Sequence, residues 1–379
     1  MISSVSIQAF KSITRLDVQC AAFNLIVGRN SAGKSTFLQA LLVAAQNTSG
    51  EYGLNGPAVA LGDFREVQNY NMRDTPIRIS YCEQGKKEWW VEIKESDHTD
   101  GTDCEVFCSD DDLDLIIEEV YGPSFDDEQT MPLNWELGFH YLSCHRIGAQ
   151  DLYRRSFGAS AFDETGEYVI GKLENRADSV IEKELLSGAG QVGDRLADQV
   201  NYWLNYILDG TTMRVQRIIN TDYVQLRYNS NPHLANQESL FCRPSNVGAG
   251  TSYLITMLSL CLMSEKGDVI LIENPEVHLH PKAQSRLCEF LYFISRNNRQ
   301  LFVETHSDHL FNWIRAGVAE QTIEASTAAV NFFVWKDGET KCNPIEFGEF
   351  GCIRGKNPDL DLNDLFDQFD LDMDRMVGL

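Results

Sequence analysis

Apolar residues fall into two spacings along this chain, and the spacings predict its elements. Residues 2–8 alternate apolar and polar, which predicts a first strand; Phe10 to Ile13 reads as a turn and Thr14 to Val18 as a second strand. Phe23-Asn24-Leu25-Ile26-Val27 is an apolar run that predicts a buried strand, and Thr36 to Ala45 predicts a helix. Glycines from Ser49 to Pro57 mark a loop, after which Ile77 to Cys82 and Trp89 to Ile93 alternate as strands. Glu95 to Glu128 is acidic and irregular apart from an apolar patch at Leu113 to Ile117, and reads as a solvated insertion. Phe139 to Ser143 predicts a buried strand. Residues 178–209 predict helices broken at Ser187 to Gly190, and Arg214 to Tyr228 predicts one or two strands. Next come an apolar helix over Tyr253 to Ser264, a strand at Val269 to Ile272, a helix over Gln284 to Asn297 and a strand at Gln300 to Glu304. Ala329 to Trp335 is the last sheet-like segment. No apolar heptad is sustained, which excludes a long coiled-coil arm, and no internal repeat occurs. Strand–loop–helix units of this kind build a mostly parallel α/β sheet, with functional groups at the carboxyl ends of its strands.

The first such junction carries chemistry. Gly28-Arg29-Asn30-Ser31-Ala32-Gly33-Lys34-Ser35, followed by Thr36, fills the pattern G-x-x-x-x-G-K-[ST] between the buried strand and the helix. Backbone N–H groups can wrap a phosphate chain only where no Cβ intrudes, so glycines are needed at 28 and 33. The helix N-terminus adds free N–H groups and a positive dipole end. Lys34 is suited to the β- and γ-phosphates of ATP, and the Ser35 hydroxyl to Mg²⁺.

Cleaving a bound nucleotide needs more. A carboxylate near Mg²⁺, a group that orients water and charge stabilisation at the γ-phosphate are all required. Glu273 ends a buried strand where the magnesium-organising acid belongs. The next residue, where a catalytic base is usual, is Asn274, and Glu276 is the alternative base. His306 ends another apolar strand, where an imidazole can contact the γ-phosphate. His278 and His280 are expected to serve packing and dimer contacts rather than a metal. Gly248-Ala249-Gly250-Thr251-Ser252 is a second anion-friendly helix start. One chain has little use for two such sites on one nucleotide, whereas two chains do, which predicts an ATP-sandwiched two-fold dimer.

Charge narrows the partners. The 379 residues carry a net charge of −24 at 43% hydrophobic content, so nucleic acid is repelled on average and any direct DNA contact needs a local basic patch. Arg146, Arg154 and Arg155 are the candidates for such a patch, or else for a salt-bridged face. Met1 to Ile7 enters a strand pattern without a leader, and no apolar run is long enough for a bilayer, so a cytoplasmic protein without membrane contact is expected. Ten scattered cysteines with no C-x-x-C pair, Cys104 and Cys108 among them, fit free thiols in a reducing compartment.

Five segments carry a resemblance: Gly28 to Thr36, Tyr141-Leu142-Ser143-Cys144-His145-Arg146, Asn246 to Ser252, Ile272 to Pro281 and Glu304-Thr305-His306-Ser307. In this order they resemble the ABC-type ATPase heads of the structural-maintenance-of-chromosomes (SMC) and OLD (overcoming lysogenization defect) families. They are most similar to compact bacterial AAA/ABC ATPases of anti-phage systems. The resemblance implies an ABC-type P-loop head with an antiparallel N-terminal β subdomain and an inserted α/β region. It implies that Gly248 and Gly250, with Ser252, form a signature loop on the nucleotide, that His306 is a switch histidine, and that Gln68 contacts magnesium and water. Gly248 stands where transporters have a serine, and Asn274 where a glutamate is usual; both imply slow turnover.

The expected organisation is a first part of the head over 1–80, an inserted region over 81–240 that returns to the head near 138–150, the rest of the head over 241–350, and an acidic tail over 351–379. The residues after Trp335 are expected to be too few for the nuclease domain of OLD proteins. The aspartates from Asp359 to Asp374, with Leu362, Leu365, Phe366, Phe369, Met373 and Met376 at helical spacing, predict a docked terminal helix or a handle for a partner. The expected protein is an ATP- and Mg²⁺-dependent ATPase. It forms a homodimer or higher even oligomer and controls a separately encoded effector, with an antiviral nuclease the first candidate. The alternatives are a DNA-binding SMC-like clamp and a scaffold that binds ATP with little turnover.

Overall fold

The computed structural model describes residues 1–96, 104–109, 133–134, 138–155, 164–188, 190–230, 241–360, 362 and 365. The chain forms two compact units, Met1–Phe139 with Arg315–Leu379, and His140–Ile314.

The first unit begins with β1 (Ile2–Phe10) and β2 (Ile13–Gln19), an antiparallel hairpin. Its sheet continues through β4 (Ile77–Glu83), β5 (Trp89–Glu95) and β6 (Cys104–Cys108), in the order β2-β1-β4-β5-β6. The last strand corrects the sequence reading, which took this stretch as irregular. Between the hairpin and β4 lie β3 (Phe23–Gly28), α1 (Lys34–Gln46) and the short helix α2 (Phe64–Val67). All six residues of β3 are buried, including Asn24, whose side-chain amide is bonded to the Ala21 backbone. It pairs in parallel with β13 (Ala328–Lys336), from Phe23↔Ala328 to Gly28↔Phe333. Helix α1 is buried almost all round, and its Phe37 ring lies 5.6 Å from that of Phe333. Each fully buried Phe contributes on the order of 2–3 kcal/mol of hydrophobic stabilisation.

Strand β13 is not the last. It is followed by β14 (Glu339–Phe347) and β15 (Ile353–Gly355), both antiparallel, in the order β15-β14-β13-β3. Beyond them only Asp359, Leu360, Leu362 and Leu365 of the expected acidic helix lie among the described residues, and Leu360 and Leu365 are buried.

The second unit holds β7 (Phe139–Leu142), all but its first residue, with β8 (Tyr153–Arg154), α3 (Val169–Arg176) and α4 (Leu196–Ile207). Next come β9 (Thr212–Arg217), β10 (Tyr223–Asn229) and α5 (Ala249–Met263). β11 (Val269–Glu273), α6 (Pro281–Arg296) and β12 (Gln300–Glu304) complete it, with most of α7 (Asp308–Ala319). Strands β12, β11 and β7 lie side by side in that order, and β11 and β12 are parallel from Val269↔Gln300 to Glu273↔Glu304. The core here is aromatic: Trp203 of α4 packs its ring 5.0 Å from Phe290 and 5.2 Å from Phe293 of α6. Arg299, fully buried, donates to the carbonyl oxygens of Ser264 and Asn297 and pairs with Glu182 at 3.0 Å. No helix among the described residues is long and apolar enough to cross a membrane.

None of the ten cysteines is joined in a disulfide. Cys261 and Cys288 are buried, and burial pushes the first thiol up to about 12 and the second well above its usual value. Since the thiolate is the attacking species, both access and ionisation protect them. Brief alkylation of the native chain at pH 8, read by peptide mass spectrometry, is expected to label exposed Cys242 and Cys352 and to spare Cys261 and Cys288. Labelling of Cys288 at the rate of Cys352 would contradict this packing.

Candidate functional site

In the first unit the 28–36 turn has the backbone that a phosphate cradle needs. Gly28 has φ +143° and Gly33 φ +96°, and Ser31 between them is left-handed at φ +62°. A Cβ on Gly28 would overlap the Phe333 carbonyl oxygen, and one on Gly33 the Thr340 side chain. Gly33 caps α1, whose first turn carries no acidic residue, so its N-terminal dipole end is not neutralised locally. Lys34 is 4% exposed, and its Nζ donates to the carbonyl oxygens of Gly28 (3.0 Å) and Arg29 (2.9 Å). The ammonium is thus folded against the loop it would share with an anion. Arg29, Asn30, Ser31 and Ser35 are exposed, Ala32 is buried, and Gly33 and Thr36 are intermediate. A glycine cradle, a buried lysine and an exposed hydroxyl at Ser35 fit a triphosphate and its Mg²⁺. Gln68 lies in this unit, 6% exposed, with its NH₂ donating to the carbonyl oxygens of Arg73 (3.0 Å) and Thr75 (2.8 Å).

In the second unit the carboxylates stand at the end of β11. Glu273 is 6% exposed, and each of its oxygens accepts one bond. Tyr141 Oη donates to Oε1 at 2.9 Å, and the Cys144 backbone N–H to Oε2 at 3.0 Å. Burial, and then the Glu273 charge, push the Tyr141 phenol well above its usual value, so it stays a donor. Burial and Glu273 likewise push the Cys144 thiol up to about 11. Asn274 is left-handed at φ +44°; its N–H donates to Glu304 O, and its buried Oδ1 has no partner among the described residues. Glu276 holds the end of β12: Thr305 Oγ1 donates to Oε2 at 2.7 Å and the His306 N–H to Oε1 at 2.9 Å. His306 itself is exposed. The structure therefore brings Glu276 and His306 together, while Asn274 shares its backbone with Glu273 and sends no side-chain bond to either.

The glycines near 250 open α5. Gly248 is its exposed N-cap, and a Cβ on Gly250 would stand 2.5 Å from the His278 carbonyl oxygen. Ser252 differs from expectation. It is 1% exposed and its hydroxyl faces Tyr228 Oη at 3.5 Å, because the apolar helix turns that side into the core; it is not presented for a ligand. His278 stacks on Tyr253 at 5.3 Å, and His280 caps α6 by accepting the Lys282 N–H at 3.4 Å. Among the described residues no three metal-binding side chains cluster. A recess of about 300 Å³ is bordered by Gly248, Gly250, Thr251, His278, His280 and Lys282, and so by the N-terminal ends of both α5 and α6.

Arg146, Arg154 and Arg155 do not form a basic patch. Arg146 is 3% exposed, Arg154 pairs with Glu167 at 3.3 Å, and Arg155 with Glu174 at 3.6 Å. Sequence reasoning missed that Tyr141 and Arg146 point at the end of β11. The only signal was their place in a motif just after a buried strand.

Two family models match the chain: "AAA ATPase domain" over residues 1–131 and "AAA domain, putative AbiEii toxin, Type IV TA system" over 133–312. Similar solved structures are an SMC head bound to the C-terminal winged-helix domain of ScpA, with 12% identity, TM-score 0.53 and coverage of 91% of this chain and 97% of the other. Another is an SMC head with an extended coiled coil bound to the C-terminal domain of ScpA, derived from Pyrococcus furiosus, with 13% identity, TM-score 0.51 and coverage of 91% and 96%. The SMC head from Thermotoga maritima matches at 12% identity and TM-score 0.48, over 91% of this chain and 99% of that one. No curated protein matches. The fold is that of an SMC head, a mixed and mostly parallel α/β sheet flanked by helices with an antiparallel sheet at the N-terminus. The two AAA family models support an ATP-binding ATPase.

Proposed function

We propose that this chain binds ATP with Mg²⁺ at residues 28–36, hydrolyses it slowly, and pairs with a second copy in the ATP-bound state. The observation that carries the reading is the turn around Lys34: two positive-φ glycines with no room for a Cβ, and an ammonium folded onto the loop carbonyls. Lys34 and the α1 N-terminus draw the β- and γ-phosphates into the cradle, and Ser35 and Glu273 hold the metal, with Gln68 offering its amide oxygen. Mg²⁺ there would neutralise charge on the β- and γ-phosphate oxygens. Glu276 serves as the base toward the attacking water, and His306 senses the γ-phosphate. Both Glu276 oxygens already accept a bond from the end of β12, and Asn274 occupies the usual position of the base, which supports slow turnover.

The recess at the starts of α5 and α6 supports the dimer, because two helix N-termini there favour the anionic nucleotide of a second subunit. A separately encoded partner is supported by the SMC heads bound to ScpA. A role in bacterial conflict, with an effector nuclease under control of the ATPase, is supported by the resemblance to anti-phage ATPases and by the description "putative AbiEii toxin, Type IV TA system". Direct DNA binding loses its support with the pairing of Arg154 and Arg155 and the burial of Arg146.

Steady-state ATPase assays on three chains test the roles. Glu276→Gln is expected to slow hydrolysis about 100-fold or more, as loss of a general base does, and to retain ATP. If Glu273→Gln stops turnover and Glu276→Gln does not, the base is misassigned.

A further inference from the structure

One motif from the sequence has no role in the scheme above: Tyr141 to Arg146. In the structure this hexapeptide aims four donors at the last residue of β11 and the one after it. Tyr141 Oη and the Cys144 N–H take one Glu273 carboxylate oxygen each, at 2.9 and 3.0 Å. Arg146 Nη1 donates to the Glu273 carbonyl oxygen at 2.6 Å, and Nη2 to that of Asn274 at 2.7 Å. Side chain and backbone of the same acid are thus gripped from one neighbouring segment.

The grip is made where the chain departs from strand geometry. The β11–β12 ladder ends at Glu273↔Glu304, and Asn274 then turns left-handed, a conformation uncommon for side-chain-bearing residues that asparagine adopts more readily than most. The guanidinium fork is rigid and matches two carbonyls that diverge at such a turn, a geometry a lysine cannot copy. Stability is a poor reason for this arrangement. Arg146 is 3% exposed, and its Nε has no acceptor among the described residues, so a charged group is buried with one donor unspent. The same guanidinium lies 5.4 Å from the Tyr253 ring in the first turns of α5, and Tyr253 stacks on His278. One side chain therefore touches both the acid-bearing turn and the helix start that borders the recess.

We propose that residues 141–146 are a positioning clamp. Tyr141 and Arg146 fix the direction in which Glu273 presents its remaining lone pairs to the metal, and Arg146 ties that direction to the start of α5 through Tyr253. The inference rests on the ATPase reading and deepens it. Neither residue touches substrate; both act through Glu273.

Two variants and two readouts test it. Tyr141→Phe removes one hydroxyl and little else; Arg146→Lys keeps the charge and loses the fork. The first readout is a Mg²⁺ titration of fluorescent mant-ATP binding, which needs no turnover. Tyr141→Phe is expected to raise the half-saturating Mg²⁺ concentration about 10-fold, as loss of a partner behind a metal ligand does, with mant-ATP affinity in EDTA unchanged. The second is the split between kcat and KM: Arg146→Lys is expected to lower kcat about 10- to 100-fold with KM for ATP within about twofold of wild type. A merely structural role would lower the melting temperature and leave the Mg²⁺ midpoint in place. Coincident Mg²⁺ titrations for wild type and Tyr141→Phe overturn the clamp, even if Arg146→Lys fails to fold. A wild-type chain that binds mant-ATP and never turns it over refutes the hydrolytic reading instead, and the titration still decides on the clamp.

Discussion

Lys34→Ala is expected to weaken ATP binding at least about 100-fold, measured by isothermal titration or mant-ATP fluorescence. The ammonium is buried inside the 28–34 turn and makes charge-assisted bonds there; with nucleotide present the same three N–H donors can serve phosphate oxygens. Each charge-assisted bond is worth about 1.5–3 kcal/mol, so losing two costs roughly two to four orders of magnitude in affinity. Alanine also removes the two bonds that Lys34 Nζ gives to the Gly28 and Arg29 carbonyl oxygens, which loosens the cradle itself. The fold of the first unit should survive, because α1 is anchored by Phe37, Leu38 and Leu41 on its buried faces. A Lys34→Ala chain that melts like wild type and binds ATP with unchanged affinity would refute the phosphate-loop assignment.

Gly28→Val is expected to have the second large effect, on stability rather than binding alone. Position 28 is the last residue of β3 and pairs with Phe333. Its φ of +143° is open to glycine and strained for any L side chain, and a Cβ there would overlap the Phe333 carbonyl oxygen. That neighbour is backbone, so no rotamer change relieves the overlap. Strain of about 1–3 kcal/mol at the dihedral and a similar cost for forcing the strands apart predict about 2–6 kcal/mol of lost stability in urea unfolding, together with loss of nucleotide binding. Unaltered unfolding of Gly28→Val would mean that the β3–β13 register is misplaced.

Elements with strong local patterns were legible in the sequence. The apolar run of β3, the glycines at 28 and 33, and the parallel pair β11 and β12 all announce themselves, because buried strands and phosphate turns tolerate few residue types. Strand β14 was hidden by polar residues that the fold satisfies internally. Asn343 is fully buried, donates to the carbonyl oxygens of Asn357 and Leu360, and accepts the Asn357 N–H; Pro344 sits beside it on the same strand. A buried asparagine and a proline break the alternation on which strand recognition depends. Helix α3 was missed for a related reason. Gly171 lowers its helical signal, yet a Cβ there would overlap the Arg154 carbonyl oxygen, so close packing demands the glycine. Strand β6 is five residues long inside an aspartate-rich stretch, and composition outweighs so short a pattern.

The site was legible by residue type and not by direction. Spacing brings out Glu273, Glu276 and His306, but only the structure reveals that Glu276 holds the Thr305 hydroxyl and the His306 N–H and that Ser252 faces inward. The donors around Glu273 come from a segment more than 120 residues away, a relation no local pattern encodes.

Sedimentation equilibrium of the Glu276→Gln chain, with and without ATP–Mg²⁺, tests the central claim most directly. The account predicts a single-chain mass of 42.9 kDa without nucleotide and twice that mass with saturating ATP, reverting when ATP is removed. A single-chain mass at an ATP concentration shown to saturate the 28–36 loop would contradict it.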